Sequence, residues 1–464
     1  MAGAFTRLDK IAGDAVEHVV TSHHRRRLRS VGWTQALEPP GEQRWAAGVP
    51  EPRSGCSLEV LVDGATALGR IAEDLERAES SVLVGGWHFT PAFRLRPDGP
   101  TLRELLAGIG ERADVRVLSW AGAPLPLFKP SRKDVREMRD ALARGTRIRM
   151  ALDDRERPMH CHHEKAIVID DRVAYVGGVD LTSLAGNRWD TSDHPARGEL
   201  GWHDAATRIE GPLLGDVWDH LALRWHEVTG ERLGDRPDAA PRGTIEAQLV
   251  RTVPEKIYGA LPNGDFRIAE AYIRALRGAR KLIYLENQFL WSPEIVSILE
   301  DKLRRPPSDE FRIVVLLPAR ANNGADDTRG QLARLIREDG DGRFLACALY
   351  QPGDAQPVYV HAKIGIVDDE WLTLGSANLN EHSLFNDTEL NVVTCDPQLA
   401  RETRLQLWRE HLRREDVDGP AHEVVDELWR PAADDRHGRL RRLPGVSRRS
   451  RVLFGPLNGL VVDG

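Results

Sequence analysis

The sequence predicts an α/β protein assembled by internal duplication, and three observations carry that prediction. Segments with helical periodicity alternate with short β-prone apolar runs. The order of these segments recurs with a period of 198 residues, the offset from His163 to His361. Each copy carries one pattern, His-x-Lys-x4-Asp, as His163-Glu164-Lys165 closing at Asp170 and as His361-Ala362-Lys363 closing at Asp368.

In the first copy, apolar residues from Ala65 to Ala78 have helical spacing and lead into the strand-like run Ser81-Val82-Leu83-Val84, which ends at Gly85-Gly86-Trp87-His88-Phe89. Val115-Arg116-Val117-Leu118 is a further strand. The pattern then opens Ala166-Ile167-Val168-Ile169, and Val173-Ala174-Tyr175-Val176 follows. The second copy keeps this order. A helix from Ile268 to Leu276 precedes Leu282-Ile283-Tyr284-Leu285, which runs into Glu286-Asn287-Gln288-Phe289. Ile313-Val314-Val315-Leu316, Ile364-Gly365-Ile366-Val367 and Trp371-Leu372-Thr373-Leu374 complete the correspondence. After each pattern comes Gly177-Gly178 or Gly375-Ser376, and two positions beyond stands Asp180 or Asn378.

A chain of 464 residues exceeds one hydrophobic core, so two or three domains are expected. The expected division is an N-terminal extension over 1–54, a first domain over 55–232, a linker over 233–245, a second domain over 246–425 and a basic tail over 426–464. The linker is placed where Gly, Pro, Asp and Arg accumulate without periodicity. The extension holds His23-His24-Arg25-Arg26-Arg27, and the tail holds seven arginines between Arg436 and Arg451. The plainer reading of these ends is solvated chain; the sharper one is contact with anionic head groups.

A net charge of −7 supplies no global attraction to nucleic acid or anionic lipid, and no nucleic-acid partner is expected. Four scattered cysteines, without metal-ligand spacing, fit a reducing compartment. The first twenty residues carry charges throughout, and no run of eighteen apolar residues occurs. A cytoplasmic protein is expected, with peripheral contact at a membrane surface.

Cleaving a phosphodiester with side chains alone takes a nucleophile, a proton donor for the leaving oxygen, and cations around the non-bridging oxygens. Two histidines and two lysines supply that set. In a strand His163 and Lys165 share one face, as do His361 and Lys363, and packing about a pseudo-twofold axis would set the two histidines across one phosphorus. One imidazole must start neutral and the other protonated. A carboxylate on the far nitrogen would orient each ring; Asp190, 27 residues after His163, and Glu389, 28 after His361, stand at matching distances. Asp170 and Asp368 belong to the motifs, at strand ends where they hold Lys or loop backbone.

These residues resemble the phospholipase D superfamily, whose mark is the duplicated HxKxxxxD followed by GG or GS. The likeness extends to His162, to Ala174 through Leu181, to Arg188-Trp189-Asp190 and to Trp202-His203-Asp204. It also takes in Ile283 through Phe289, Val360-His361, Gly375 through Asn380, His382-Ser383 and Asp387-Thr388-Glu389, all similar to the eukaryotic-type branch. Asp180, His382 and Thr388 stand where many relatives have Asn, Arg and Ser.

The resemblance implies two α-β-α sandwich domains with mixed sheets, related by a pseudo-twofold axis and sharing one active site, so that a monomer suffices. It implies a phosphohistidine intermediate resolved by water or by an alcohol, with His163 as nucleophile backed by Glu389 and His361 as acid backed by Asp190. Lys165 and Lys363 would hold the phosphate, and Gly178, Asp180, Gln288, Ser376 and Asn378 would contact substrate. The expected activity is hydrolysis of a glycerophospholipid at a membrane surface to phosphatidic acid and a free head group, with no cofactor and no catalytic metal. The alternatives are a cardiolipin-synthase-like phosphatidyl transferase, a nuclease of the same superfamily, and an inactive lipid-binding scaffold.

Plainer readings compete at several positions. Trp202-His203 reads more simply as core packing with a satisfied histidine. His160-Cys161-His162-His163 contains zinc-ligand residue types, but metal on His163 would block the nucleophile. Gln288 is either a strand-end residue or a phosphate contact, and Cys161 reads as a small buried hydrophobe.

Overall fold

The duplicated alternation folds into one large mixed sheet. The computed structural model describes residues 18–125, 128–184, 186, 188–196, 200–320, 325–353 and 356–445. The first copy supplies β1 (Arg53–Val62), β2 (Ser81–Gly86), β3 (Asp114–Trp120), β4 (Arg149–Asp153), β5 (Ala166–Ile169), β6 (Val173–Gly177), β7 (Gly201–His203) and β8 (Ala205–Glu210). The second supplies β9 (Ile245–Val253), β10 (Asp265–Phe266), β11 (Leu282–Glu286), β12 (Arg312–Leu316), β13 (Phe344–Leu349), β14 (Val358–Val360), β15 (Ile364–Val367), β16 (Trp371–Gly375), β17 (Glu389–Thr394) and β18 (Leu440–Arg442).

Strand order is β18-β13-β12-β11-β15-β16-β17-β9-β1-β8-β6-β5-β2-β3-β4, with β10 beside β9. Outward from the β9/β1 junction the two sides match. β9-β17-β16-β15-β11 and β1-β8-β6-β5-β2 are antiparallel throughout, and β11-β12-β13 and β2-β3-β4 are parallel. At the centre the equivalent strands β1 and β9 pair antiparallel across an irregular register, as a local twofold axis requires.

Parallel neighbours need crossovers, and helices supply them. Leu102–Gly110 joins β2 to β3 and Arg132–Ala143 joins β3 to β4; Pro293–Arg304 and Ala325–Glu338 do the same for β11, β12 and β13. Thr101 with Glu104, and Ser131 with Asp134, form capping boxes that satisfy the first amides of the first two helices. Alternate residues of each strand enter opposite cores. Ile283, Leu285, Ile313 and Val315 face one layer while Leu282, Tyr284, Val314 and Leu316 face the other. The result is a sheet covered on both faces, the α-β-α arrangement.

The chain ends depart from the expectation of solvated extensions. Residues 18–30 are helical and dock on the second side, where Arg27 pairs with Glu255, His24 Nδ1 lies 3.0 Å from Glu294, and Leu28 is buried. At the other end, Val425, Trp429 and Leu440 are buried, and β18 pairs with β13 at the sheet edge. Scattered apolar residues anchor both segments despite their arginines. Arg448, Arg449 and Arg451 lie outside the described residues. Among the described residues no helix is long and apolar enough to cross a membrane.

Two crossings between the sides position the site. β7 pairs in parallel with β14, setting Tyr359 against Trp202 and Val360 against His203. Correspondingly, His162 bridges in parallel to Thr388.

Candidate active site

The crossings hold each motif histidine by the opposite side of the sheet. The backbone amides of His163 and Glu164 both donate to the Thr388 carbonyl, at 2.9 and 3.1 Å. Those of His361 and Ala362 both donate to the His203 carbonyl, at 2.7 and 3.1 Å. The next residue along each crossing segment then supplies an acid. Glu389 Oε1 lies 3.0 Å from His163 Nδ1, and Asp204 Oδ2 lies 2.7 Å from His361 Nδ1. With Nδ1 of each ring turned to a carboxyl oxygen, Nε2 is the nitrogen that points away from that acid.

Asp190 was expected behind His361, and the structure places it elsewhere. It accepts from the Trp202 amide at 2.8 Å and the Thr191 amide at 2.9 Å, and pairs with His194 Nδ1 at 2.9 Å. Matching Asp190 to Glu389 by spacing assumed equal connections in the two copies. The first copy has a longer loop between β6 and β8, so the true counterpart of Glu389 is Asp204.

Asp170 and Asp368 also stand away from the histidines, at the far ends of β5 and β15. Asp170 accepts from the amides of Glu79, Ser80 and Ser81, and Asp368 from those of Arg280, Lys281 and Leu282. Both sit at positive φ, turning the chain out of the motif strand. They fasten the start of the neighbouring strand.

The lysines do converge on the site. Lys165 Nζ donates to the His163 carbonyl at 2.7 Å and Lys363 Nζ to that of His361. Lys165 stands 3.7 Å from Asp180, which also pairs with Arg188 at 3.6 Å. Gln288 accepts from Lys363 and from Asn378, at 3.5 and 3.4 Å, and donates to the Tyr359 hydroxyl at 2.8 Å. Arg188 lies over the Trp202 ring, 3.9 Å from its centroid, and Trp202 in turn leans on His361.

Gly178 and Ser376 sit behind the acids. Ser376 Oγ and Ser383 Oγ donate to Glu389, whereas a Cβ on Gly178 would lie 2.1 Å from Asp204 Oδ1. The longer Glu is met by a hydroxyl; the shorter Asp needs the empty space of glycine.

Both histidines are buried, at 2% and 5% exposure. Burial and then the charges of Lys363, Arg188, Lys165 and His163 hold the His361 pKa well below its usual value. Burial pushes the Glu389 carboxyl up to about 8, against the pull of Lys165 and the two serine hydroxyls. Glu164, between the motif residues, faces away into a buried cluster with His220 and Arg224, and Arg224 reaches Asp153 at 2.7 Å. His162 lies 3.2 Å from Asp153 and 2.8 Å from Thr388 Oγ1, while Cys161 packs with Trp87 and Trp120. The His160-Cys161-His162-His163 run is therefore split among different partners instead of gathered on one ion.

Residues 272–410 match the family model described as "Cardiolipin synthase, PLD-like domain". The chain is 24% identical to Phospholipase D A of Dictyostelium discoideum, over 81% of its own length and 37% of that protein. It is also 24% identical to Phospholipase D alpha 1 of Cynara cardunculus, over 63% of its own length and 56% of that protein. The chain thus spans roughly a third to a little over half of these relatives. In fold it resembles the crystal structure of phosphatidylserine synthase from Haemophilus influenzae Rd KW20, with a TM-score of 0.51 at 13% identity, covering 81% of this chain and 93% of that one. The family-model match and the phospholipase D relatives support a member of the phospholipase D superfamily related to its eukaryotic members.

Proposed function

We propose that the chain is a phosphodiesterase that cleaves a glycerophospholipid, such as phosphatidylcholine, to phosphatidic acid and a free head group. One observation carries this reading: two histidines, each oriented through Nδ1 by an acid from the opposite side of the sheet, share a buried site with Lys165 and Lys363.

In the first step Nε2 of His163 attacks phosphorus, and the bond to the head-group oxygen breaks as His361 Nε2 delivers a proton to it. The lysines neutralise the non-bridging oxygens. Water then attacks the phosphohistidine, giving its proton to His361, and the N–P bond breaks to release phosphatidic acid. Glu389, through the carboxyl oxygen that faces Nδ1, holds the His163 ring in place as charge develops on it. Burial and then the surrounding cations favour a neutral His361 ring, and the charge of an anionic phosphate opposes those cations and favours the proton that His361 delivers. The substrate is drawn from a membrane surface, and one chain carries one complete site.

The family model's description favours a second reading, in which an alcohol replaces water and the phosphatidyl group is transferred. Vesicles of phosphatidylcholine, phosphatidylethanolamine and phosphatidylglycerol, assayed with and without an added primary alcohol, separate the two. Phosphatidic acid and free head group are expected, with the transfer product rising as alcohol is added. Turnover of no lipid, together with cleavage of single-stranded DNA, would remove the lipid reading.

A further inference from the structure

Behind the His361 half of the site lies a buried cluster that the proposed chemistry does not use. Four ligand-type side chains converge there from distant parts of the chain: Asp63 after β1, His194 in the loop before β7, His203 in β7, and Glu410 in the helix Pro397–Leu412. All are nearly or wholly inaccessible, with side-chain exposures of 1%, 0%, 0% and 5%.

Their spacing is that of a coordination shell. His203 Nδ1 lies 2.8 Å from Asp63 Oδ1 and 3.3 Å from Glu410 Oε1. His194 Nε2 lies 3.2 Å from Glu410 Oε1 and 3.7 Å from Asp63 Oδ2. Four ligands at ~2.0–2.1 Å from a tetrahedral ion would stand about 3.3 Å apart, and one donor atom from each of these four side chains can be taken with all of them within 4.8 Å of one another. Asp63 Oδ2 is buried and accepts no hydrogen bond among the described residues.

The outer nitrogens are arranged as metal-binding imidazoles require. His203 Nε2 pairs with Glu286 Oε2 at 2.8 Å, and His194 Nδ1 pairs with Asp190 Oδ2 at 2.9 Å. A carboxylate on the far nitrogen fixes the tautomer that leaves the inner nitrogen's lone pair free. Those outer acids are anchored in turn, Glu286 by His411 and Asp190 by the Trp202 amide. Each imidazole thus has both nitrogens facing carboxyl groups. The nearby Arg439 donates to the carbonyls of Ser192 and Asp193 and makes no hydrogen bond to Asp63 or Glu410.

We propose that Asp63, His194, His203 and Glu410 form a structural site for one tetrahedral divalent transition metal, of which Zn²⁺ is the best fit. Two imidazoles and two carboxylates are borderline ligands suited to zinc, and four protein ligands close the site to water. The ion stands off the reacting phosphorus. It acts through His203, whose carbonyl holds the His361 and Ala362 amides, and through the neighbouring Asp204. It thereby ties the end of β1, the loop before β7, β7 and the helix Pro397–Leu412 around the second motif. Nothing in this inference depends on the lipid reading.

Metal analysis of the full chain, produced with zinc in the medium and freed of loose ions by gel filtration, tests it directly. One zinc per chain is expected. The cobalt(II)-substituted protein should show the intense visible absorption of a tetrahedral ion, and His194→Gln should lose both signals. Glu286→Gln, which keeps all four ligands, should weaken metal affinity about 10–100-fold. Wild-type protein without stoichiometric metal that takes up neither zinc nor cobalt would overturn the proposal. So would an octahedral cobalt spectrum, or metal retained undiminished in both His194→Gln and Glu410→Gln.

Discussion

Glu389 Oε1 stands 3.0 Å from His163 Nδ1 although 226 residues separate them in the chain. The mirror relationship joins His361 to Asp204, 157 residues apart. Each histidine therefore takes its orienting acid from the other side of the sheet, so that in the proposed mechanism neither copy of the motif is complete alone. Asp204→Asn and Glu389→Gln should each lower kcat by about 10²–10⁴-fold, the range set by loss of a tautomer-fixing carboxylate. KM should change little, since neither acid touches substrate. Asp190→Asn, which acts one shell further out, should lower kcat less than Asp204→Asn; the reverse order in steady-state kinetics would contradict the structural pairing.

The two histidines should separate in a phosphoenzyme experiment. His163→Asn is expected to form no acid-labile phosphoenzyme in rapid-quench assays with radiolabelled substrate. His361→Asn should form it from substrates with good leaving groups, then hydrolyse it slowly for want of a base. A full-rate His163→Asn enzyme would reverse the assignment of nucleophile.

Stability should respond to pH through two groups of opposite sign. The Glu389 carboxyl, pushed up to about 8, keeps its proton in the folded state over a window in which the unfolded chain has released it. Stability is therefore lost as pH rises from about 4.5 to 8, by at most ~1.4 kcal/mol per pH unit. His361, held below its usual value, stays neutral where the unfolded chain takes up a proton, so it contributes a loss as pH falls below about 6.5. Urea midpoints across this range should flatten on the alkaline side in Glu389→Gln and on the acid side in His361→Asn.

The motif strands were legible in the sequence because short continuous β-prone apolar runs follow each pattern, and the duplication showed that two copies must meet. The crossing acids were harder. Glu389 lies one residue beyond Thr388, whose carbonyl holds the first motif, but that adjacency exists only once β17 has paired with β9. Asp204 was hidden for a further reason: a loop of unequal length breaks the counting that made Asp190 seem its equivalent. Asp63, His194 and Glu410 left no signal at all, since isolated charged residues in loops and on a helix read as solvent-facing until tertiary packing buries them.

The aspartates that end the motifs should prove structural. Asp170→Ala and Asp368→Ala each abandon three backbone amides at a strand start, a loss of about 1–3 kcal/mol. Denaturant midpoints should fall accordingly, while kcat of the folded fraction stays within about threefold of wild type, because strand geometry at ~3.3 Å per residue puts each aspartate far from its histidine. A loss of kcat as large as that of Asp204→Asn would return these residues to the catalytic set.

Gly178 offers the sharpest steric test of how the site is oriented. A Cβ there would lie 2.1 Å from Asp204 Oδ1, a distance no relaxed contact allows, and Asp204 is held from behind by its place between β7 and β8. The carboxylate is the movable partner, so Gly178→Ala should swing it off His361 Nδ1 and release the ring. The expected result is a large fall in kcat, approaching that of Asp204→Asn, with folding retained. Because both substitutions strike the same hydrogen bond, Gly178→Ala combined with Asp204→Asn should lose little beyond either change alone. Ser376 occupies the equivalent place in the second motif and donates to Glu389, so Ser376→Ala removes a donor without a clash and should reduce kcat less. Equal losses at the two positions would mean that the glycine serves only the sheet and not the acid.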